Sequence, residues 1–227
     1  MARTLRIEWS AGRKVTAKLV MPAAARSVGV LLAPGAGAGQ GHEFMVHLRD
    51  GLAAAGFPAM TFDYPYVAAG RRSPDRPPVL LACQRAAAGR LTEYVPSVVL
   101  AGKSMGGRMA SHLAAGTDPA GMPVDRFPAA GLVYYGYPLV PMGKREPRDA
   151  SHLAAIGAPQ LFFAGTRDRL SPPDLIKPLA EDLPDATVIE IPDGDHSFKV
   201  PKRTGRIWQE VLDDLVATTV EWLAGPG

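Results

Sequence analysis

Gly102-Lys103-Ser104-Met105-Gly106-Gly107 is the stretch that decides the fold of this chain. It follows the apolar run 98–101 and leads into a helix-like segment, 105–115. A serine in the pattern Gly-x-Ser-x-Gly, on a sharp turn between a buried strand and a helix, is presented as a nucleophile. Side chains at Gly102 and Gly106 would collide with the neighbouring strand and helix. Ser104 would also lie at the amino end of that helix, where free N–H groups and the helix dipole favour developing negative charge.

An acid and a histidine follow further along the chain. Asp168 comes just after the strand candidate 160–164, and His196 comes just after the strand candidate 187–191. Serine, acid and histidine in this order, each after a predicted strand, favour a catalytic triad of Ser104, Asp168 and His196. The alternatives are a capping serine in a glycine-rich turn and a loop histidine satisfied by Asp193 or Asp195. Those two aspartates are also rival acids, but neither follows the seventh strand candidate.

Composition and charge narrow the class of protein. The chain has 227 residues, of which 47% are hydrophobic and 21% charged, and we predict one globular domain over 1–227. A single cysteine, Cys83, excludes an internal disulfide and fits a reducing compartment. There is no signal-peptide pattern and no apolar run near the roughly 18 residues of a membrane span, so we expect a cytoplasmic protein that binds no membrane. A net charge of +3 without a basic block argues against nucleic-acid binding.

Strand and helix patterns alternate along the whole chain. The segments 3–9 and 14–21 read as a hairpin at a sheet edge. The remaining strand candidates are 28–33, 58–62, 98–101, 130–135, 160–164 and 187–191. The helix candidates are 43–55, 78–94, 105–115, 149–156, 172–183 and 204–223. This alternation predicts an α/β fold, a parallel sheet with helices on both faces and its ligand site outside the carboxyl ends of the strands.

These motifs together resemble the α/β-hydrolase superfamily over nearly the full length of the chain. The narrower likeness is to a small, cap-less bacterial group with Gly-Lys-Ser-Met-Gly-Gly-Arg-Met-Ala at the nucleophile, related to a hydrolase-like subunit of the eukaryotic non-specific-lethal complex. Further similarities lie at 31–37, 136–139 and 165–168. The resemblance implies a mostly parallel eight-stranded sheet with an antiparallel second strand, and a triad of Ser104, Asp168 and His196. The short segment between the sixth and seventh strand candidates implies no cap or a minimal one.

The resemblance also indicates an oxyanion hole. Many relatives carry His-Gly where this chain has Pro34-Gly35, but the donor N–H belongs to the residue after the glycine. We therefore expect the backbone N–H groups of Ala36 and Met105 to bind the oxyanion, with Gly37 replacing or assisting Ala36. No metal site or cofactor is predicted, since His42, His47, His112 and His152 lack ligand-like spacing.

The sequence thus predicts a serine hydrolase, most simply a carboxylesterase that cleaves small esters or thioesters through an acyl-enzyme on Ser104. Acyltransferase or peptidase activity with the same triad, and a non-catalytic interaction scaffold, are the alternatives. The oligomeric state is left open.

Two features bear on the choice of substrate. Aromatic side chains at Tyr64, Tyr66, Tyr137 and Phe198 either host a small apolar group or belong to the core. Loops at the predicted catalytic rim carry ten basic residues, Arg71, Arg72, Arg76, Lys103, Lys144, Arg145, Arg167, Arg169, Lys199 and Lys202. We hypothesise that this rim attracts substrates bearing a carboxylate or phosphate, the alternative being an ordinary solvated surface.

Overall fold

The computed structural model describes residues 1–225; Pro226 and Gly227, the last two positions of the predicted domain, lie outside the described residues. The strands are β1 Arg3–Ser10, β2 Arg13–Val20, β3 Val28–Ala33, β4 Ala59–Phe62, β5 Ser97–Lys103, β6 Gly131–Tyr135, β7 Gln160–Gly165 and β8 Ala186–Ile191. The helices are α1 Glu43–Ala54, α2 Pro65–Ala68, α3 Pro77–Leu91, α4 Met105–Ala115, α5 Pro173–Glu181 and α6 Trp208–Ala224. Short 3₁₀ turns occupy Ser151–Ala155 and Lys202–Thr204.

The eight strands form a single sheet in the order β1-β2-β4-β3-β5-β6-β7-β8. Strand β2 runs antiparallel to both of its neighbours, and the pairs from β4 to β8 are parallel. The predicted α/β fold and its antiparallel second strand are confirmed. After β3, the chain adds β4 on one side of β3 and then crosses over to add β5 on the other side. Ligands of such sheets bind at this switch point, beyond the carboxyl ends of β3 and β5.

The core lies on both faces of the sheet. In β3, Val30 and Leu32 pack with residues of α1 and α6, while Leu31 and Ala33 pack with residues of α3 and α4. All four side chains are fully buried. This period of two explains why the strand reads as an unbroken apolar run instead of an alternating one.

The main differences from the sequence prediction concern four segments. The helix expected over 149–156 is only the 3₁₀ turn Ser151–Ala155. Helix α2 was not predicted, and α6 begins at Trp208, later than the predicted 204. Gly205, at φ +70°, ends the preceding 3₁₀ turn, and the Glu210 carboxylate then accepts the N–H of Ile207 at 3.0 Å to start the helix. Strand β5 continues past Ala101 to Lys103, which pairs with Tyr135 of β6.

Among the described residues, the carboxyl end of the sheet carries no cap. Between β6 and β7, the residues 136–159 contain only the 3₁₀ turn Ser151–Ala155. This confirms the cap-less prediction and leaves the ends of β3, β5 and β7 uncovered by any inserted domain in residues 1–225. No helix of that described part is long and apolar enough to cross a membrane.

Candidate active site

Ser104 lies on a turn of a single residue between β5 and α4. Its backbone angles are φ +50° and ψ −115°, a region that a residue with a Cβ adopts only under strain. A Cβ on Gly102 would lie 2.3 Å from the Gly107 nitrogen, and one on Gly106 would lie 2.3 Å from the Ala33 oxygen. Only glycine fits at these two positions, so the turn keeps the serine on the strand end and aims it outward.

The structure brings Ser104, His196 and Asp168 together from three strand ends. His196 Nε2 lies 2.9 Å from Ser104 Oγ, and His196 Nδ1 lies 2.7 Å from Asp168 Oδ2. Both are hydrogen-bond distances. A carboxylate on Nδ1 places the proton there and leaves Nε2 as the acceptor that faces the serine hydroxyl. The arrangement can therefore take the proton from Ser104.

Asp168 is held as a carboxylate by its surroundings. Its side chain is fully buried, and Oδ1 accepts the N–H groups of Leu170 and Ser171 at 2.8 and 3.1 Å. Burial acts to raise the pKa of Asp168, but the hydrogen bond and charge of His196 and the amide of Leu170 outweigh it. The pKa lies below its ordinary value. The acid is therefore ionised at neutral pH.

The rival acids have other partners. Asp193 pairs with Arg203 at 2.5 Å. Asp195 accepts the N–H groups of Ser197 and Lys199 at 2.8 and 3.0 Å and so shapes the turn that carries His196. Neither carboxylate is hydrogen-bonded to the imidazole in residues 1–225, which leaves Asp168 as its acid partner.

The loops after β7 and β8 are pressed together. A Cβ on Gly165 would lie 2.3 Å from the Gly194 oxygen, and the Arg167 N–H donates to that same oxygen at 2.9 Å. This close approach sets the distance between the two loops and therefore between Asp168 and His196.

The loop after β3 lies directly against the serine turn. Tyr66 bridges this loop, accepting the N–H of Gly37 at 3.1 Å and donating to the Gly35 oxygen at 3.4 Å. The N–H of Gly37 is therefore already used, which corrects its role as an alternative oxyanion donor. The N–H groups of Ala36 and Met105 have no protein acceptor among the described residues, and Ala36 lines the same cavity as Ser104.

Lys103 is half-buried and lines the cavity beside Ser104, and its ammonium nitrogen is fully buried. It continues the alternation of β5, so its side chain takes the face on which Val99 and Ala101 pack. Its Nζ lies 5.4 Å from the centre of the Phe198 ring and has no hydrogen-bond partner in residues 1–225. Burial lowers the pKa of Lys103 to about 8, against the attraction of Asp168 and Asp195. Lys103 therefore lies at the catalytic cavity, but its buried ammonium does not add to a solvent-exposed basic rim.

Gly136 makes room for this buried charge. Its φ is +70°, and a Cβ there would lie 3.2 Å from Asp168 Oδ2, 3.3 Å from Lys103 Nζ and 3.4 Å from His196 Cε1. The carboxylate, the ammonium and the imidazole thus surround one glycine without a direct ion pair between Lys103 and Asp168.

A small open cavity adjoins Ser104. Its volume is about 230 Å³, and its apolar lining comes from Phe44, Met45, Met142 and Leu170. The four aromatic residues that the sequence suggested as hosts for a small apolar group are at most 1% exposed: Tyr64, Tyr66, Tyr137 and Phe198. These side chains therefore belong to the hydrophobic core and do not line the substrate cavity.

The basic rim is smaller than predicted. Arg71 pairs with Asp75 at 2.6 Å, and the Lys199 ammonium lies 5.2 Å above the Trp208 ring. The steering hypothesis rests on the other exposed members and stays a prediction. Equal turnover of neutral and anionic esters at low and high salt would contradict it.

The four remaining histidines have local contacts. His42 caps α1 by accepting the Phe44 N–H at 3.2 Å, and His47 lies 2.7 Å from Asp213. His112 and His152 stack on each other. No group of three or more possible metal ligands is found in residues 1–225.

The sequence analysis did not predict the roles of two residues that support the site. Tyr66 fixes the loop after β3, although it was considered only as an apolar contact. Gln84, fully buried, accepts the Tyr64 hydroxyl at 2.7 Å and donates to the Gly106 oxygen at 3.4 Å. The sequence indicates only that Gln84 lies on the apolar face of a helix, which predicts a buried polar side chain. It does not indicate which groups Gln84 contacts.

Known proteins share this sequence pattern and this architecture. A family profile described as an alpha/beta hydrolase domain matches residues 26–224. A search of curated proteins gives no match. Solved structures with the same fold include a serine hydrolase homologue from Coxiella burnetii, 16% identical over 95% of this chain and 96% of that one, with a TM-score of 0.73.

Two more structures extend the likeness. One, from Xanthomonas campestris, is described as an α/β serine hydrolase without a lid; it is 18% identical over 100% and 97% of the two chains, with a TM-score of 0.71. The other is a dienelactone hydrolase from Anabaena variabilis, 20% identical over 99% and 97%, with a TM-score of 0.74. At these identities the structures speak for the fold alone. The narrower likeness to the non-specific-lethal complex subunit stays a prediction.

Proposed function

The chain belongs to the alpha/beta hydrolase family, and we propose that it is a serine hydrolase that cleaves small carboxylic esters or thioesters through an acyl-enzyme on Ser104. The observation that carries the proposal is the relay in which His196 lies 2.9 Å from the Ser104 hydroxyl and 2.7 Å from the Asp168 carboxylate. The strained turn that presents the serine adds support, because such strain persists where function requires it.

The reaction begins with attack of Ser104 Oγ on the acyl carbonyl. His196 Nε2 takes the hydroxyl proton, while Asp168 holds the imidazole in the productive tautomer and stabilises the imidazolium. The N–H groups of Ala36 and Met105 receive the oxyanion; losing one such donor typically costs about 2.7–4 kcal/mol. His196 then gives its proton to the leaving alcohol or thiol. Water attacks the acyl-enzyme with His196 again as base, which releases the acid and restores Ser104.

The size and lining of the cavity support a small acyl group. About 230 Å³ with four apolar contacts accommodates a short chain, and the absence of a cap in the described residues leaves the alcohol or thiol side open to solvent. Because no cap in residues 1–225 restricts the leaving group, we propose both esters and thioesters as substrates.

Labelling with a fluorophosphonate probe tests the proposal. We expect the folded protein to be labelled at Ser104, and we expect Ser104→Ala to lose both the label and about 10⁴-fold or more of ester turnover. Ser197, the other serine that lines the cavity, provides the matched control, because Ser197→Ala should still be labelled. Failure of the folded wild-type protein to react would favour the non-catalytic scaffold.

A further inference from the structure

A second cavity lies beside helix α4, away from the catalytic one. Its volume is about 340 Å³, and none of its lining residues lines the cavity at Ser104. The lining includes Arg108 and His112 from α4, Arg148 and Asp149 from the loop after β6, and His152 from the following 3₁₀ turn.

The two arginines of this cavity lack carboxylate partners. Neither Arg108 nor Arg148 forms an ion pair within residues 1–225, and the Nε of each is buried without a hydrogen-bond partner. Burial, followed by the charge of Arg148, lowers the pKa of Arg108, so the two guanidinium groups are near enough to repel each other. Both arginines are half-buried, and the N–H groups that no carboxylate contacts are available to an anion that enters the cavity.

The nearby carboxylates are already committed to local turns. Asp149 accepts the backbone N–H and the hydroxyl of Ser151 at 2.9 and 3.0 Å. Asp118 accepts the N–H groups of Ala120 and Met122 at 2.8 and 2.9 Å. Both carboxylates line the same cavity and keep their negative charge, but neither forms an ion pair with Arg108 or Arg148 among the described residues.

Two neutral histidines complete the wall. The rings of His112 and His152 stack with centroids 3.8 Å apart. Burial lowers the pKa of His112 to about 3 and that of His152 to about 4, with the charge of Arg108 acting in the same direction. The Ser111 hydroxyl lies 2.7 Å from the Arg108 oxygen and 2.8 Å from His152 Nε2, which holds the His152 ring in place. No hydrogen bond to either nitrogen of His112 is formed in the part of the chain described.

We propose that this cavity binds a phosphate group, held by Arg108 and Arg148 with His112 as a neutral donor. A guanidinium presents its N–H groups in a fork that matches phosphate oxygens, so two guanidinium groups without carboxylate contacts can together hold one phosphate. The cavity is larger than one phosphate, so the organic part of a phosphate monoester fits beside it. The site is separate from the esterase chemistry proposed above, and its occupancy is independent of Ser104.

Calorimetric titration of the protein tests this site. The titration is made with protein labelled at Ser104 by a fluorophosphonate, which fills the catalytic cavity, and with Ser104→Ala, in which that cavity stays open. Binding at the second cavity should be the same in both. Inorganic phosphate and phenyl phosphate are titrated in turn, with phenylacetate as the carboxylate comparison. We expect saturable binding of one or both phosphates, and their relative affinities tell free phosphate from a phosphate monoester. Phenylacetate should bind at least about tenfold more weakly.

Substitutions locate the binding. Arg108→Gln and Arg148→Gln should each weaken phosphate binding about tenfold or more, since each removes charge-assisted hydrogen bonds. Arg145→Gln, an equal charge change on the same loop but outside the cavity, should leave the affinity unchanged. Arg148 lies on a loop, so its variant remains informative if Arg108→Gln fails to fold. In spectra of the histidine rings, phosphate should move the signals of His112 and His152 and leave that of His196 in place.

The proposal fails if neither phosphate binds saturably to the folded protein, or if Arg145→Gln weakens binding as much as the two cavity variants do. It also fails if phenylacetate binds as tightly as phenyl phosphate, because the site would then recognise any anion.

Discussion

The strain at Ser104 leads to a prediction about stability. A non-glycine residue at φ +50° and ψ −115° has a strained backbone, and this strain costs about 1–3 kcal/mol of folding free energy. Ser104→Gly and Ser104→Ala both lack the hydroxyl and differ only in the Cβ. We therefore expect Ser104→Gly to be more stable than Ser104→Ala by about 1 kcal/mol, after allowance for the extra entropy of unfolded glycine. Urea unfolding of both variants measures the difference, and equal stability would show that the turn is relaxed.

The buried ammonium of Lys103 gives a pH-dependent prediction. Its pKa is about 8 when folded and 10.5 ordinarily, so between these values the unfolded chain binds the extra proton. The free energy of unfolding therefore rises with pH through this range, and the full penalty of the buried charge is present below pH 8. Lys103→Met should be more stable near neutral pH by about 1–3 kcal/mol, with an advantage that shrinks toward pH 10.5.

The measurement for Lys103 is denaturant unfolding across that pH range. Lys144→Met removes an exposed lysine and serves as the control, which should stay near the wild type at every pH. A Lys103→Met protein that is less stable at both ends of the range would contradict the account of its burial.

Residue types and their order could be read from the sequence, whereas side-chain directions could not. Ser104, Asp168 and His196 were found because each follows a strand, and strand ends of a parallel sheet share one edge. Lys103 was misplaced because β5 was predicted to stop at Ala101. Strand β5 in fact continues two residues further, and this extension directs the Lys103 ammonium toward the Phe198 ring instead of the solvent. The contact between Tyr66 and the loop after β3 joins distant segments and leaves no local pattern.

At the level of the elements, the joint between β5 and α4 depends on its glycines. A Cβ on Gly106 would lie 2.3 Å from the Ala33 oxygen, so Gly106→Ala must move β3 or α4. We expect a loss of about 3 kcal/mol or more in the free energy of unfolding. Gly89, exposed in α3 with no atom within 4 Å of its added Cβ, is the matched site.

Gly89→Ala should instead gain about 0.5–1 kcal/mol, because alanine favours the helix. Thermal or urea unfolding separates the two variants. Similar effects at both positions would mean that the joint tolerates a methyl group and that the glycines reflect composition alone.

Element existence was predictable, and element ends were less so. Apolar runs located the inner strands, because burial on both faces leaves few polar interruptions. The edge strands β1 and β2 were located by their alternation of polar and apolar residues. The start of α6 was predicted too early, since the turn Lys202–Thr204 has helix-like composition but ends at Gly205 with positive φ. Helix α2 is a single turn after β4, too short to show a helical period.

For the molecule as a whole, the open catalytic end predicts how turnover depends on the acyl chain. Each methylene buried in the cavity adds about 0.8 kcal/mol, roughly a fourfold gain in kcat/KM, until the cavity of about 230 Å³ is filled. Longer chains remain in water and add nothing. A series from acetate through butyrate and octanoate to laurate should therefore rise and then level off.

The same series tests for a moving lid. With no cap in residues 1–225, turnover should rise smoothly with substrate concentration through the solubility limit. A jump at that limit, or a gain that continues to laurate, would mean that an apolar surface opens at an interface.

The loop between β6 and β7 divides the chemistry of the chain in two. Its residues 142–147 are all exposed. The nucleophile and the oxyanion loop precede it, and the acid and the base follow it. Separate polypeptides meeting at this point would each be inert, and hydrolysis would appear only in pairs that had reassembled. The exposed loop is thus a suitable place to divide the chain into two fragments whose reassembly would report the association of proteins fused to them.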